Sequence, residues 1–167
     1  MNVKLNLGGN EKFEGGPGSL LLKNFTNVDI NHWEGVDIVC DVRNMYGWKD
    51  ESVAEIRASH LIEHFERHEI PGVLQEWRRI LVPGGLLRIY CPNAEKIAYN
   101  YSRGVISGSE FNRLLFGNQT YGENYHKIAI DRTILDDWLR KAGFRIIGRD
   151  PRPKAYKYDL GIQAIKQ

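Results

Sequence analysis

The chain predicts an α/β fold built on a seven-stranded, mainly parallel sheet that ends in an antiparallel C-terminal strand pair. Three observations lead there. Short apolar runs alternate with helical periodicity almost to the end of the 167 residues, the pattern of strands joined by crossover helices. The stretch from Leu74 to Cys91 reads as an amphipathic helix, a Pro-Gly-Gly break and a buried strand. The last two apolar runs are joined by a segment with proline and charge but no helical pattern, so they are expected to pair antiparallel at the sheet edge.

In order, the expected strands are Val3–Leu7, Thr26–Ile30, Val36–Cys40, Glu55–Ser59, Leu86–Cys91, Arg145–Arg149 and Tyr158–Ile165. Between the first two, Gly8–Gly18 holds five glycines in 11 residues and reads as a loop of the functional site rather than a linker. It leaves room for only about one or two helical turns near Ser19–Asn24, at roughly 3.6 residues per turn. The clearest helix begins near Ile70, with Pro71 in its first turn, and sets Ile70, Val73, Leu74, Trp77 and Leu81 on one face before Pro83-Gly84-Gly85 ends it. A second, Asp131–Ala142, opens on a capping Asp, aligns Leu135, Trp138, Leu139 and Ala142, and stops at Gly143. Residues 93–129 contain one helical patch around Ser109–Phe116 and a scatter of Tyr99, Tyr101, Phe111, Phe116, Tyr121 and Tyr125. They are expected to form an insertion over the sheet's carboxyl edge, within a single domain spanning residues 1–167.

Composition narrows the classes. A hydrophobic fraction of 42% supports one compact core, and a net charge of +2 from interspersed acids and bases marks no tail or block. No apolar stretch approaches the roughly 20 residues of a membrane span, and the first residues lack the apolar core of a signal peptide, so the chain is expected to be cytoplasmic. Cys40 and Cys91 both close apolar runs and read as small core residues, not a disulfide or a reactive thiol. Arg145, Arg149, Arg152, Lys154 and Lys157 read as a solvated edge, with no motif of a nucleic-acid module beside them.

In an open α/β sheet a ligand binds outside the carboxyl ends of the strands. At the first such end, Leu7-Gly8-Gly9-Asn10 is expected to turn sharply and to bring backbone N–H groups against a cofactor. At the second, Asp29, followed by Ile30, falls 21 residues after Gly8, near the spacing at which an acid accepts from a ribose diol. At the third, Asp41 offers a carboxylate to an adenine amine and Val42 a backbone N–H to a ring nitrogen. At the fourth, Ala58-Ser59-His60 leads into Leu61-Ile62-Glu63-His64.

Four phrases together carry a family likeness: Asn27-Val28-Asp29, Ser59-His60-Leu61-Ile62-Glu63-His64, Leu81-Val82-Pro83-Gly84-Gly85, and His126-Lys127 followed by Ala142-Gly143-Phe144. On them the chain resembles the class I S-adenosylmethionine-dependent methyltransferases, specifically small predicted members of the methyltransferase type 11-like group. The resemblance runs from about Val3 to the C-terminus and is weakest at residues 16–25 and 93–125. It implies a Rossmann-like three-layer sandwich and S-adenosylmethionine as cofactor, held by Asn6, Gly8, Gly9, Asn10, Asp29, Ile30, Asp41, Val42, Ser59 and His60. It also implies methyl transfer to a small or end-exposed acceptor, with Ser59 and His60 where the cofactor's methionine part meets that acceptor. The chain departs from the family's acid-x-Gly-x-Gly turn at two places, where Asn6 stands for the acid and Asn10 for the second glycine. His60 and His126 are the candidate bases, since an unperturbed imidazole titrates near pH 6.5, while Glu63 and His64 are expected to hold their loop together.

Two rival readings remain. Altered glycines are compatible with a catalytically inactive, methyltransferase-like binding or partner protein. The phrase His60-Leu61-Ile62-Glu63-His64 also has the H-x-x-E-H form of a zinc hydrolase, which requires both histidines on one helical face. A nicotinamide cofactor requires G-x-G-x-x-G, which Gly8-Gly9-Asn10-Glu11-Lys12-Phe13 lacks.

Overall fold

The computed structural model describes residues 3–8, 24–149 and 157–167. Seven strands form one sheet: β1 (Val3–Leu7), β2 (Thr26–Asp29), β3 (Ile38–Val39), β4 (Val53–Ser59), β5 (Leu81–Pro92), β6 (Phe144–Arg149) and β7 (Asp159–Lys166). Their order is β3-β2-β1-β4-β5-β7-β6. β1 through β5 pair parallel, and β7 runs antiparallel between β5 and β6, as the sequence pattern of the last two strands predicts. The strand order reverses between β1 and β4, which opens a crevice at their carboxyl ends.

Central strands are buried on both faces. Leu5, Leu7, Ile56 and Ala58 lie in one continuous core with Leu87, Ile89 and Cys91, while the alternate positions of β1 and β4 bury the polar Asn6, Glu55 and Arg57. Helix α1 (Ile70–Ile80) buries Ile70, Val73, Leu74, Trp77 and Ile80. Trp77 is wholly buried, and its Nε1 donates to the Val42 carbonyl at 3.0 Å, tying the helix to the loop that follows β3. Helix α4 (Arg132–Lys141) starts where the Asp131 side chain accepts from the Ile134 N–H, and it buries Leu135 and Leu139.

Several boundaries differ from expectation. Pro83-Gly84-Gly85 lies inside β5 rather than ending α1. Val53 pairs with Leu81 and Glu55 with Leu86, so the three residues are extruded as a bulge before regular pairing resumes. β3 has only two residues, both exposed, because it is the sheet edge and not a buried strand. The links from β2 to β3 and from β3 to β4 contain turns, closed by bonds such as Val36 N–H to Trp33 O and Asn44 N–H to Asp41 O, where crossover helices were expected. Within residues 93–129, helix α3 (Gly108–Phe116) matches the anticipated patch, and helix α2 (Ala94–Ser102) is additional. The two rest on a small cluster of Ile97, Ile106 and Tyr158 with Phe111, Leu114 and Leu115. The expected turn of helix at Ser19–Asn24 falls almost wholly outside the described residues.

A buried polar network crosses the first strands. Asn6 Nδ2 donates to Asn27 Oδ1 at 2.9 Å, Arg57 donates to Asn6 Oδ1 at 2.9 Å, and Asp37 Oδ2 accepts from the Asn27 N–H at 2.7 Å. Polar groups removed from water need such partners.

Candidate functional site

A cavity of about 740 Å³ opens at the carboxyl ends of the parallel strands. Gly8, Asp29, Cys40 and Ser59 bring the ends of β1, β2, β3 and β4 to its wall, and residues 117–127 approach from the opposite side. Its size suits a ligand of a few hundred daltons.

Asp29 ends β2 at this wall and is 8% exposed. Its Oδ1 accepts from the Asn31 N–H at 2.8 Å, and its carbonyl accepts from the Cys40 N–H at 2.8 Å. Burial, chiefly, raises its pKa above the ordinary value of 3.8, Glu123 adds to the rise, and the N–H groups of Asn31 and Ile30 oppose it. Asp29 is therefore a carboxylate held at a cavity with part of its hydration removed. Ile30 stands beside it, 47% exposed and on the cavity wall.

Gly8 adopts φ +70, and a Cβ there would lie 3.3 Å from Leu61 Cδ1, so both the turn and the approach of the next loop select glycine. Its N–H donates to the Val28 carbonyl at 2.8 Å. The Gly8 amide is thus committed within the sheet, while Gly8 itself stands on the cavity wall. Asn6 is a correction: it is wholly buried and spends its carboxamide on Asn27 and Arg57, away from the lining residues. Gly9 and Asn10 lie outside the described residues.

Asp41, Val42, Ser59 and His60 all line the cavity. Arg43 grips the Asp41 carboxylate, with contacts of 2.7 and 3.0 Å, and holds its pKa below the usual range. The Val42 carbonyl is committed to Trp77. Cys40 is half-buried, and burial, Asp41 and Glu76 raise its pKa, keeping it a thiol. Cys91 is in the core.

His60 has φ 51, and its backbone N–H donates to the Tyr90 carbonyl at 2.8 Å. Its ring sits between two carboxylates, with Nε2 2.8 Å from Asp159 Oδ2 and Nδ1 3.2 Å from Glu63 Oε1. Burial opposes its charge, but Asp159 and Glu63 prevail and raise its pKa to about 9. A ring held as imidazolium at neutral pH has no lone pair to act as a base. His126 is the converse: burial lowers its pKa, and it reaches the same cavity as a neutral ring. Residues 62–64 form one turn of 3₁₀ helix, with His60 outside it, so the helical face a zinc hydrolase requires is not formed.

The loop is tied to the facing segment through the Glu63 backbone and the His64 ring. The Lys127 N–H donates to the Glu63 carbonyl at 2.8 Å, and His64 Nδ1 lies 3.0 Å from the Tyr125 carbonyl. Of the aromatic scatter, Tyr121 lines the cavity, in edge contact with Trp33 at 6.3 Å, whereas Tyr101 stacks on Phe111 instead. Sequence reasoning missed Asp159, Arg43 and Trp33. No local pattern marks Asp159, which meets His60 across 99 residues of chain. Arg43, two residues after Asp41, was the one findable from spacing.

Residues 21–89 match the family model described as a methyltransferase domain. No curated protein matches the chain. Among solved structures, it is similar to a protein from Pyrococcus horikoshii OT3, at 18% identity and TM-score 0.68, over 100% of this chain and 83% of that one. It is also similar to Burkholderia thailandensis 1,6-didemethyltoxoflavin-N1-methyltransferase with bound 1,6-didemethyltoxoflavin and S-adenosylhomocysteine, at 18% identity and TM-score 0.63, over 98% of this chain and 70% of that one. A third likeness is to the CurJ carbon methyltransferase, at 15% identity and TM-score 0.60; it covers 98% of this chain, which spans about half, 48%, of that one. At these identities the structural likenesses establish the fold.

Proposed function

We propose that the chain, whose residues 21–89 match a methyltransferase domain and whose fold is shared with solved methyltransferases, belongs to the class I S-adenosylmethionine-dependent methyltransferases, and that its cavity binds S-adenosylmethionine and a small or end-exposed acceptor and transfers the methyl group between them. The observation that carries this reading is Asp29, a partly desolvated carboxylate at the cavity wall with its Oδ1 fixed by Asn31. Such an oxygen pair suits a ribose diol, since both hydroxyls can donate to one carboxylate. The bound cofactor would supply a methyl group already activated on a sulfonium, leaving the protein to position the nucleophile and exclude water.

Asp29 would orient the ribose, with Ile30 against the adenine. Asp41 would contribute less, because Arg43 already occupies its oxygens. Ser59 and His60 would border the methionine portion, with His60 a fixed cation and positioning residue. On the acceptor side burial favours a neutral His126 ring, and we assign it the contact with the acceptor's nucleophile. Residues 93–129 would form that side of the site. No described helix is long and apolar enough to cross a membrane, and unpaired thiols at Cys40 and Cys91 are in keeping with a cytoplasmic setting.

Calorimetric titration of the Asp29→Ala and Asp41→Ala variants with S-adenosylhomocysteine tests the assignment. Asp29→Ala should weaken binding at least tenfold, and Asp41→Ala by less. Unchanged affinity in a folded Asp29→Ala variant would sink the reading.

A further inference from the structure

Glu63, His64 and His126 place one carboxylate oxygen and one nitrogen from each ring within 4.8 Å of one another. Glu63 is 1% exposed, and neither of its carboxylate oxygens has a hydrogen-bond partner; the His60 ring faces it, with Nδ1 3.2 Å from Oε1. A buried carboxylate left without donors is costly. Of the two imidazoles beside it, that of His64 is oriented from behind. His64 Nδ1 faces the Tyr125 carbonyl at 3.0 Å, which puts the proton on Nδ1 and leaves the Nε2 lone pair free of that bond. The His126 ring lies beside it, and the two rings meet edge to face with centroids 5.0 Å apart. A ring N–H pinned on a backbone carbonyl is the usual support of a metal-ligating histidine.

We propose that Glu63, His64 and His126 bind one divalent first-row transition ion, of which zinc is the probe of choice, at the inner wall of the cavity. Two imidazole nitrogens and one carboxylate oxygen suit such ions better than magnesium or calcium, which prefer all-oxygen shells. Bonds of about 2.0–2.2 Å would bring the donor atoms to roughly 3.4 Å apart in tetrahedral geometry, a closure within reach of side-chain rotation. His64 and His126 line the cavity while Glu63 lies behind them, so the remaining coordination position faces the ligand space.

The role of the ion rests on the methyltransferase reading. A hydroxyl or amine bound at the open position becomes a stronger acid, and its proton leaves through the cavity to solvent. The acceptor class this implies is a small molecule that ligates a metal through the atom to be methylated, and the contact assigned to His126 is then made through the ion.

The full chain, stripped with EDTA and dialysed, is titrated calorimetrically with zinc chloride. One ion per chain with micromolar or tighter affinity is expected. His126→Ala and Glu63→Gln should each weaken it at least tenfold, while His68→Ala, at an exposed histidine outside the cluster, should leave it unchanged. If Glu63→Gln fails to fold, His126→Ala decides. No saturable binding, or undiminished binding in both His64→Ala and His126→Ala, overturns the proposal. S-adenosylhomocysteine is titrated separately in EDTA: binding there without zinc binding leaves the methyltransferase reading standing and removes the metal site, whereas the reverse result removes only the former.

Discussion

Asp29 shows the conflict between stability and binding at a single residue. A carboxyl whose pKa rises on folding destabilises the protein in its charged form; the cost is absent below the unfolded value near 3.8 and fully present above the raised one. Asp29→Asn keeps an oxygen for the Asn31 N–H and removes the buried charge. Its melting temperature at pH 7 should exceed that of the wild type, and the gain should shrink as pH falls toward 4, while S-adenosylhomocysteine affinity drops. Equal melting temperatures at pH 7 would show that the site is better solvated than its burial indicates. A residue kept at a cost to stability is what a binding role predicts. Asp29 was legible because its signal is local: an acid at a strand end, about 20 residues past a glycine turn. The environment of His60 was not, since the carboxylate that turns it from a base into a fixed cation comes from β7.

At the scale of elements, α1 was legible and α2 was not, for one reason. Five buried side chains at helical spacing mark α1, whereas α2 buries Ile97 alone and is held by its Asn93 cap, which accepts from Lys96 N–H, and by contact with α3. Trp77 anchors α1 in the core and ties it to Val42 at the cavity. Trp77→Ala should cost about 3–5 kcal/mol in urea unfolding, and a loss below about 1 kcal/mol would mean the helix does not support the site. The segment after α3 depends on Gly117, at φ +79, where a Cβ would meet the Asn124 carbonyl at 2.6 Å and His126 Cδ2 at 3.1 Å. Gly117→Ala should cost about 1–3 kcal/mol and should weaken zinc binding by displacing His126. Unaltered zinc affinity would separate this turn from the histidine's placement.

Over the whole molecule, the sheet and its antiparallel final pair follow from the alternation of strand and helix patterns and from the lack of helical periodicity in the sequence between the last two strands. The turn-only links around β3 do not, because a two-residue exposed edge strand leaves almost no periodic signal. The position of the cavity follows from topology: strand order reverses between β1 and β4, and the strand ends there converge on one crevice. The central claim is that this crevice holds S-adenosylmethionine, and calorimetric titration of the wild-type chain with S-adenosylhomocysteine tests it most directly. Saturable binding of one molecule per chain at micromolar affinity is the predicted result. An absence of binding by the folded protein at millimolar ligand would contradict it.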